Sequence, residues 1–217
     1  MEEIKIGDFS IARIIFGPIE TNTYVFGQDS EVCIVDPAMF TEFEEETALS
    51  EIQRRGSLKY IINTHGHFDH ISGNQFLKEV YPTSKILIHP MDVEKLNDPV
   101  KNGSTLIGAS ITSPPPDLLL NEGDLIVFST KKIKVLHTPG HTKGSISLLE
   151  DRFIFTGDTL FNRSVGIAKE YKGAFEELIS SIKSKLLVLP EGTMVLPGHM
   201  GLTSIGAERE ENDFLKD

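Results

Sequence analysis

Tryptophan is absent from this 217-residue chain, and cysteine occurs once. A lone Cys33 cannot close an internal disulfide, so the fold must be held by packing and hydrogen bonding. Cys33 stands in the apolar run Val32-Cys33-Ile34-Val35, which reads as a strand with the thiol in the core rather than as a reactive site. No stretch reaches the ~20 consecutive apolar residues of a membrane span. The opening MEEIKIGDFS lacks a basic segment followed by an apolar one, so no secretory leader is read and the cytoplasm is the expected location. Cations are scarce: 21 Lys and Arg stand against 32 Asp and Glu, for a formal charge of −11. Such a balance excludes a general nucleic-acid binder, which needs a basic surface to release counterions. The expected partner is a small molecule, with neither nucleic acid nor membrane, and oligomeric state is left open. An anionic ligand would need local positive charge, from bound ions or a few lysines.

The hydropathy pattern alternates short strands with helices in both halves. Strands are expected near Ile11–Phe16, Thr23–Phe26, Glu31–Asp36, Lys59–Asn63 and Lys85–His89. Helices are expected over Phe40–Arg55, ending at Gly56, over Asn74–Val80 and over Asp92–Asn97. The acidic stretch Glu42-Phe43-Glu44-Glu45-Glu46 reads as the solvated face of the first helix. Residues 98–120, with Asn102-Gly103 and Ser113-Pro114-Pro115-Pro116, read as an irregular connection. Further strands are expected near Leu125–Phe128, Lys132–His137, Ser145–Leu149, Arg152–Thr156 and Thr193–Leu196, with a helix over Ala174–Leu187 and one short helix after Thr203. No internal repeat is visible. The simplest architecture is an α/β arrangement (α+β) of two mixed sheets packed together with helices outside, as one domain over 1–217; division at 98–120 is the alternative.

What the chain has in concentration is histidine. His65-Gly66-His67-Phe68-Asp69-His70 sets three imidazoles and a carboxylate within six residues, a donor set suited to zinc and other borderline divalent ions. Three more strand ends deliver a His or Asp through a turn: Thr138-Pro139-Gly140-His141 after Ile133–Leu136, Gly157-Asp158 after Phe153–Phe155, and Pro197-Gly198-His199 after Met194–Leu196. A rigid strand fixes the position of the residues at its end, while glycine and proline let the backbone turn closely around an ion. Five of the seven histidines lie in the cluster or directly behind Pro-Gly. One sheet edge carrying all four ends would hold a shared site. His89, before Pro90, has no identifiable partner and is read as structural.

These four motifs, with His137-Thr138-Pro139-Gly140-His141-Thr142 and Phe155-Thr156-Gly157-Asp158-Thr159-Leu160-Phe161 in the expected order, resemble the metallo-β-lactamase superfamily over nearly the whole chain. Within it, Asn63–His70 and Thr156–Phe161 are most similar to glyoxalase II, the hydroxyacylglutathione hydrolases. The resemblance implies an αββα sandwich and two divalent metal ions, zinc first, with iron or manganese as alternatives. It implies that His65, His67 and His141 hold one ion, that Asp69, His70 and His199 hold the other, and that Asp158 bridges them at the ~3.5–4 Å separation typical of two-metal hydrolases. The implied reaction is attack of a bridging hydroxide on a thioester carbonyl, with Asp69 and Asp158 as the catalytic carboxylates, converting S-lactoylglutathione to glutathione and lactate. A thiolate of pKa near ~8.5 leaves with little proton donation, so the absence of an obvious general acid suits a thioesterase better than an amidase. With the implied ligand positions already occupied, His137 is expected to be a packing residue or one that orients a ligand through a hydrogen bond, rather than a ligand itself.

Substrate contacts carry weaker marks. The family's Lys-x-Tyr-x-Gly glutathione motif resembles Lys169-Glu170-Tyr171-Lys172-Gly173, displaced by an apparent insertion at Ile167-Ala168. Lys169 and Tyr171 are therefore candidate contacts, with Lys143 and Arg163 as further cations. Two-domain glyoxalase II enzymes continue into a helical glutathione-binding domain, whereas only residues 200–217 come after His199; a separate domain of that kind is not expected. Rival readings are a persulfide dioxygenase using one iron on His65, His141 and Asp158, a lactonase, and a metal-binding module without catalysis. A true class B β-lactamase is disfavoured by its usual second-ion ligands and export.

Overall fold

The computed structural model describes residues 1–216. Its larger sheet runs in chain order: β1 (Glu2–Ile6), β2 (Phe9–Phe16), β3 (Thr21–Gln28), β4 (Glu31–Val35), β5 (Ser57–Ile62), β6 (Lys85–Ile88) and β7 (Leu118–Leu119). The first four strands pair antiparallel and the rest parallel. The second sheet contains β8 (Leu125–Phe128), β9 (Lys131–His137), β10 (Ile146–Leu149), β11 (Phe153–Gly157), β14 (Met194–Pro197) and β15 (Thr203–Ser204), ordered β15-β14-β11-β10-β9-β8. Only β11 and β14 pair parallel in it, so both sheets are mixed. A small hairpin, β12 (Leu160–Phe161) with β13 (Ser164–Val165), stands beside it.

Three apolar layers explain the stacking. Between the sheets, Tyr24, Phe26, Val35, Ile62 and Leu87 meet Phe128, Val135, Leu148, Phe155 and Leu196. Outside the larger sheet, Val25, Ile34, Ile61 and Ile86 pack on Ala48 and Ile52 of α1 (Glu42–Arg55) and on Leu77 of α3 (Asn74–Val80). Outside the second sheet, Leu136, Ile154 and Val195 pack on Leu178 of α4 (Ala174–Ser181), on Ile182 and Leu186, and on Ile205 of α5 (Ile205–Glu211). The result is the expected αββα sandwich. Central strands buried on both faces lose the polar alternation of half-buried ones: Val32 and Ile34 face α1, while Cys33 and Val35 face the second sheet. Cys33 is buried in that core, and burial pushes its thiol pKa up.

Local signals account for the first helix. Thr41 accepts a hydrogen bond from the Glu44 amide and Glu44 accepts one from the Thr41 amide, closing a capping box, and Gly56 ends the helix at φ 148°. Glu44 also accepts from the Gly17 and Phe40 amides. That carboxylate is therefore a cap and a tie to the loop after β2, not the solvated surface charge expected of the acidic stretch.

Some elements lack a sequence expectation. Strand β1 lies outside the expected strands although Ile4-Lys5-Ile6 alternates and Gly7-Asp8 turns the chain into β2, β7 lies in the region expected to be wholly irregular, and the β12–β13 hairpin has strands of two residues each, too short to show a period. Strand β7 and the two strands of the hairpin are stabilised by pairing with a neighbour rather than by their own sequence pattern. The expected helix over 174–187 changes pitch at Ile182, where Ile182–Leu186 forms a π-turn. Among the described residues no helix is long and apolar enough to cross a membrane.

Candidate metal centre

Strands β9, β11 and β14 run in one direction, as do β4 and β5, so their C-terminal ends can gather on one edge of the sandwich. His65, His141, Asp158 and His199 leave those ends, and α2 (Phe68–Ile71) supplies Asp69 and His70 just after His67. Two glycines allow the closeness. A Cβ on Gly157, at φ 48°, would lie 2.3 Å from Thr64 Oγ1, and one on Gly198 would lie 2.3 Å from Asp158 Oδ1.

The seven predicted donors converge in two groups. In the first, His67 Nδ1 lies 3.1 Å from His65 Nε2 and 2.8 Å from His141 Nε2, and those two Nε2 atoms are 3.1 Å apart. Outer partners fix the protons. His141 Nδ1 donates to the Ile167 carbonyl at 2.7 Å, and His67 Nε2 donates to Glu170 Oε1 at 2.8 Å. His65 Nδ1 lies 3.1 Å from Thr64 Oγ1, whose own proton goes to Asp36 Oδ2. Each ring therefore turns an unprotonated nitrogen inward. Three lone pairs about 3 Å apart have no proton to share, and a tetrahedral ion with bonds of about 2.0–2.1 Å would satisfy all three.

In the second group, Asp69 Oδ2 lies 3.1 Å from His70 Nε2 and 3.3 Å from His199 Nε2. Thr21 Oγ1 donates to the same oxygen at 2.8 Å, and His199 Nδ1 donates to the Ile19 carbonyl at 3.1 Å. Asp158 faces both groups: Oδ2 is 3.5 Å from His141 Nε2 and 3.5 Å from His199 Nε2, while Oδ1 is 3.4 Å from His70 Nε2. His70 Nε2 and Asp158 Oδ1 are buried without a hydrogen-bond partner. His70 Nδ1 shares that condition, because Asp36 Oδ2, 2.9 Å away, is out of line for a good bond. Stranded buried donors and acceptors are costly, and this set fits divalent cations.

The electrostatics agree. Burial, reinforced by neighbouring histidines, holds His65 well below its usual pKa and brings His141 to about 4. Burial opposes the charge on His70 and His199, but Asp69 and Asp158 outweigh it; His70 lies well above the usual value and His199 at about 10. Burial likewise works to raise Asp69 and Asp158, and His70 and His199 nevertheless hold both far below the ordinary carboxylate range. Without ions, the second group stores protons between its histidines and carboxylates.

Other predicted residues divide. Lys143 Nζ lies 5.3 Å from the Tyr171 ring centre. Both line a cavity of about 230 Å³ beside Lys95, Lys101, Met91 and Glu170. Lys169 is exposed. Arg163 is drawn to Glu211, a partner in α5, and none of its contacts reaches the donor groups. His137 stacks on His89 with ring centres 4.1 Å apart and meets the Lys143 carbonyl at 2.8 Å, so its ring is not placed against a donor histidine. His89 thus has a partner, and burial beside His137 lowers its pKa to about 4.

Three contributing carboxylates escaped the sequence reading. Asp36, at φ 51°, accepts from the Thr64 amide and hydroxyl. Asp92 accepts from the Gly66 and Gly144 amides and the Thr142 hydroxyl, tying the His65–His70 loop to the His141 loop. Glu170 holds His67 and accepts from Lys95 at 2.5 Å. None stands in a histidine motif; only Glu170, inside the displaced Lys-x-Tyr-x-Gly stretch, carried a signal.

The metallo-beta-lactamase superfamily model matches residues 16–199. The structure of BLEG-1 B3 metallo-beta-lactamase is 36% identical, with a TM-score of 0.88 over 95% of this chain and 100% of its own. TTHA1623 in a di-iron-bound form is 32% identical, with a TM-score of 0.80 over 94% of this chain and 100% of its own. Hydroxyacylglutathione hydrolase GloC of Haemophilus influenzae is 30% identical over 88% of this chain and 90% of its own length. With the sandwich, the ordered motifs and the two donor groups at one sheet edge, the chain belongs to the metallo-beta-lactamase superfamily.

Proposed function

We propose that this protein is a dinuclear metal-dependent hydrolase of acyl thioesters of the hydroxyacylglutathione type. The observation that carries the reading is the division of seven donors into two groups, with Asp158 facing both. Divalent ions bound there would lower the pKa of water from 15.7 to roughly 7 and so supply hydroxide at neutral pH. The family consists mostly of hydrolases of this chemistry, and the similarity to GloC and to a di-iron protein supports two ions and a thioester.

The chain's own residues do the positioning. His65, His67 and His141 present unprotonated nitrogens on one side, and Asp69, His70 and His199 complete the other. Asp69 Oδ2, which accepts from Thr21, would orient the attacking oxygen. Lys143, whose ammonium rests on the Tyr171 ring, offers positive charge to the tail of an anionic substrate. No side-chain nucleophile is needed, and the sole cysteine is sealed in the core.

The test is a substrate panel on protein reconstituted with two equivalents of zinc, iron or manganese, with metal counted on the same sample. S-lactoylglutathione hydrolysis is the expected activity. Preference for a lactone or a β-lactam, or dioxygen consumption with glutathione persulfide at one iron per chain, would replace the thioesterase reading.

A further inference from the structure

The displaced stretch after the Gly-Asp motif does something other than offer a lysine. Gly166 packs so tightly that a Cβ there would stand 1.8 Å from the Asp158 carbonyl oxygen. The next residue turns its carbonyl onto His141 Nδ1 at 2.7 Å. Three residues further, Glu170 Oε1 receives His67 Nε2 at 2.8 Å. One five-residue segment thus secures the outer nitrogens of two of the three histidines in the first group.

The second group is braced from elsewhere: Thr21 holds Asp69, the Ile19 carbonyl holds His199, and Asp36 lies beside His70. Asp36 also stands behind His65 through Thr64 and so serves both groups, whereas the outer hydrogen bonds from residues 166–170 go to the first group alone. Lys95 makes the arrangement durable. Its Nζ bonds Glu170 Oε1 at 2.5 Å and the Lys101 carbonyl at 3.1 Å, and its side chain is largely buried. The carboxylate is thereby fixed on two sides.

We infer that residues 166–170 form a brace that sets the affinity of the His65, His67 and His141 group for its ion, with Glu170 as a positioning residue acting through His67. In this chain it is Glu170, rather than Lys169 or Tyr171, that meets the histidine. A carboxylate behind an imidazole fixes the ring's rotamer, keeps the proton on Nε2 and makes Nδ1 a stronger donor. The inference rests on reading these histidines as ion ligands and is independent of the substrate.

Calorimetric titration of metal-free full-length protein with zinc tests it, with His67→Ala and His199→Ala marking which binding step belongs to which group. Glu170→Ala is expected to weaken the first step by about 10–100-fold and to leave the second within twofold. Glu170→Gln, which keeps an acceptor, should lose less. Nitrogen-15 spectra of the metal-free protein should show His67 shifting from a single Nε2–H tautomer to a mixture in the alanine variant. An unchanged first step, or equal weakening of both steps, would overturn the brace. If the unsubstituted protein takes up no ion at the first group, the metal reading itself fails, whereas lack of thioesterase activity with intact binding touches only the proposed substrate.

Discussion

Replacing Asp158 with alanine removes the carboxylate that faces both donor groups. The expected loss exceeds the ~10–100-fold cost of an outer partner, with metal content and turnover falling together; unchanged metal content in Asp158→Ala would sink the site assignment. Asp92 poses a different case, since it touches no donor nitrogen yet accepts from Gly66, Thr142 and Gly144 in the two loops that carry His65–His70 and His141. Asp92→Ala strands up to three buried donors, at a cost of roughly 3–5 kcal/mol. Denaturant unfolding of the metal-free variant measures that cost without reference to catalysis, and a change below about 1 kcal/mol would show that the loops hold themselves. The seven donors were legible in the sequence by type and by glycine or proline just ahead of several of them. Asp36, Asp92 and Glu170 were not, because a carboxylate's partner is a backbone amide or ring nitrogen that only folding brings close.

Among the elements, β11 links core to site most directly. Phe155 packs against Tyr24 and Phe26 of the facing sheet at ring separations of 5.0 and 5.3 Å, and Gly157-Asp158 lies just beyond it in the chain. Phe155→Ala is expected to destabilise the fold by about 3–5 kcal/mol, read as a lowered unfolding midpoint. Loss of that packing should also loosen Asp158, so metal affinity should fall more than in a helix-face variant of similar cost such as Ile52→Ala in α1. The longer strands of the second half were legible because each is bounded by turn residues, whereas the two-residue strands β12, β13 and β15 were not. Strand β1 does carry a local signal, the alternation of Ile4-Lys5-Ile6 ahead of the Gly7-Asp8 turn, which the expected strands left out; β7 is two residues long, and sheet pairing rather than local preference makes it a strand. The stacked pair His89 and His137 likewise joins residues 48 positions apart, beyond any local signal.

For the whole molecule, protons and metal ions compete for one set of atoms. In the metal-free protein, His141 in its buried place holds a proton only near pH 4 and His65 resists one too. The unfolded chain, with histidines near ~6.5, takes up protons there first, so stability falls as pH drops below that value. Asp69 and Asp158, depressed by His70 and His199, add to the loss once the pH passes below the ordinary carboxylate range. On the alkaline side the sign reverses. His70 and His199 keep protons that the unfolded chain releases, and their contribution disappears as pH rises through about 10 for His199. Thermal unfolding of metal-free protein should therefore show a maximum near pH ~6.5, with losses on both sides. Metal loading should flatten the alkaline limb, because ions replace the protons, and should raise stability by about 2.7 kcal/mol for each ion bound at a hundredfold excess over its Kd. Binding at about pH 8 should release protons from His70 and His199, measurable as a buffer-dependent heat. A binding heat that does not change with the buffer's ionisation enthalpy would refute the stored protons.

By itself, the sequence determined the donor types, their order, their place after strands, and the family to which those motifs belong. Side-chain chemistry and turn residues are local properties, and they survive in one dimension. Tertiary structure decided which nitrogen of each ring faces inward, that Asp158 looks toward both groups, that Arg163 belongs to Glu211, and that Glu170 stands behind His67. Those outcomes depend on where two sheets place their strand ends and on which distant loop supplies a partner. No spacing along the chain encodes them.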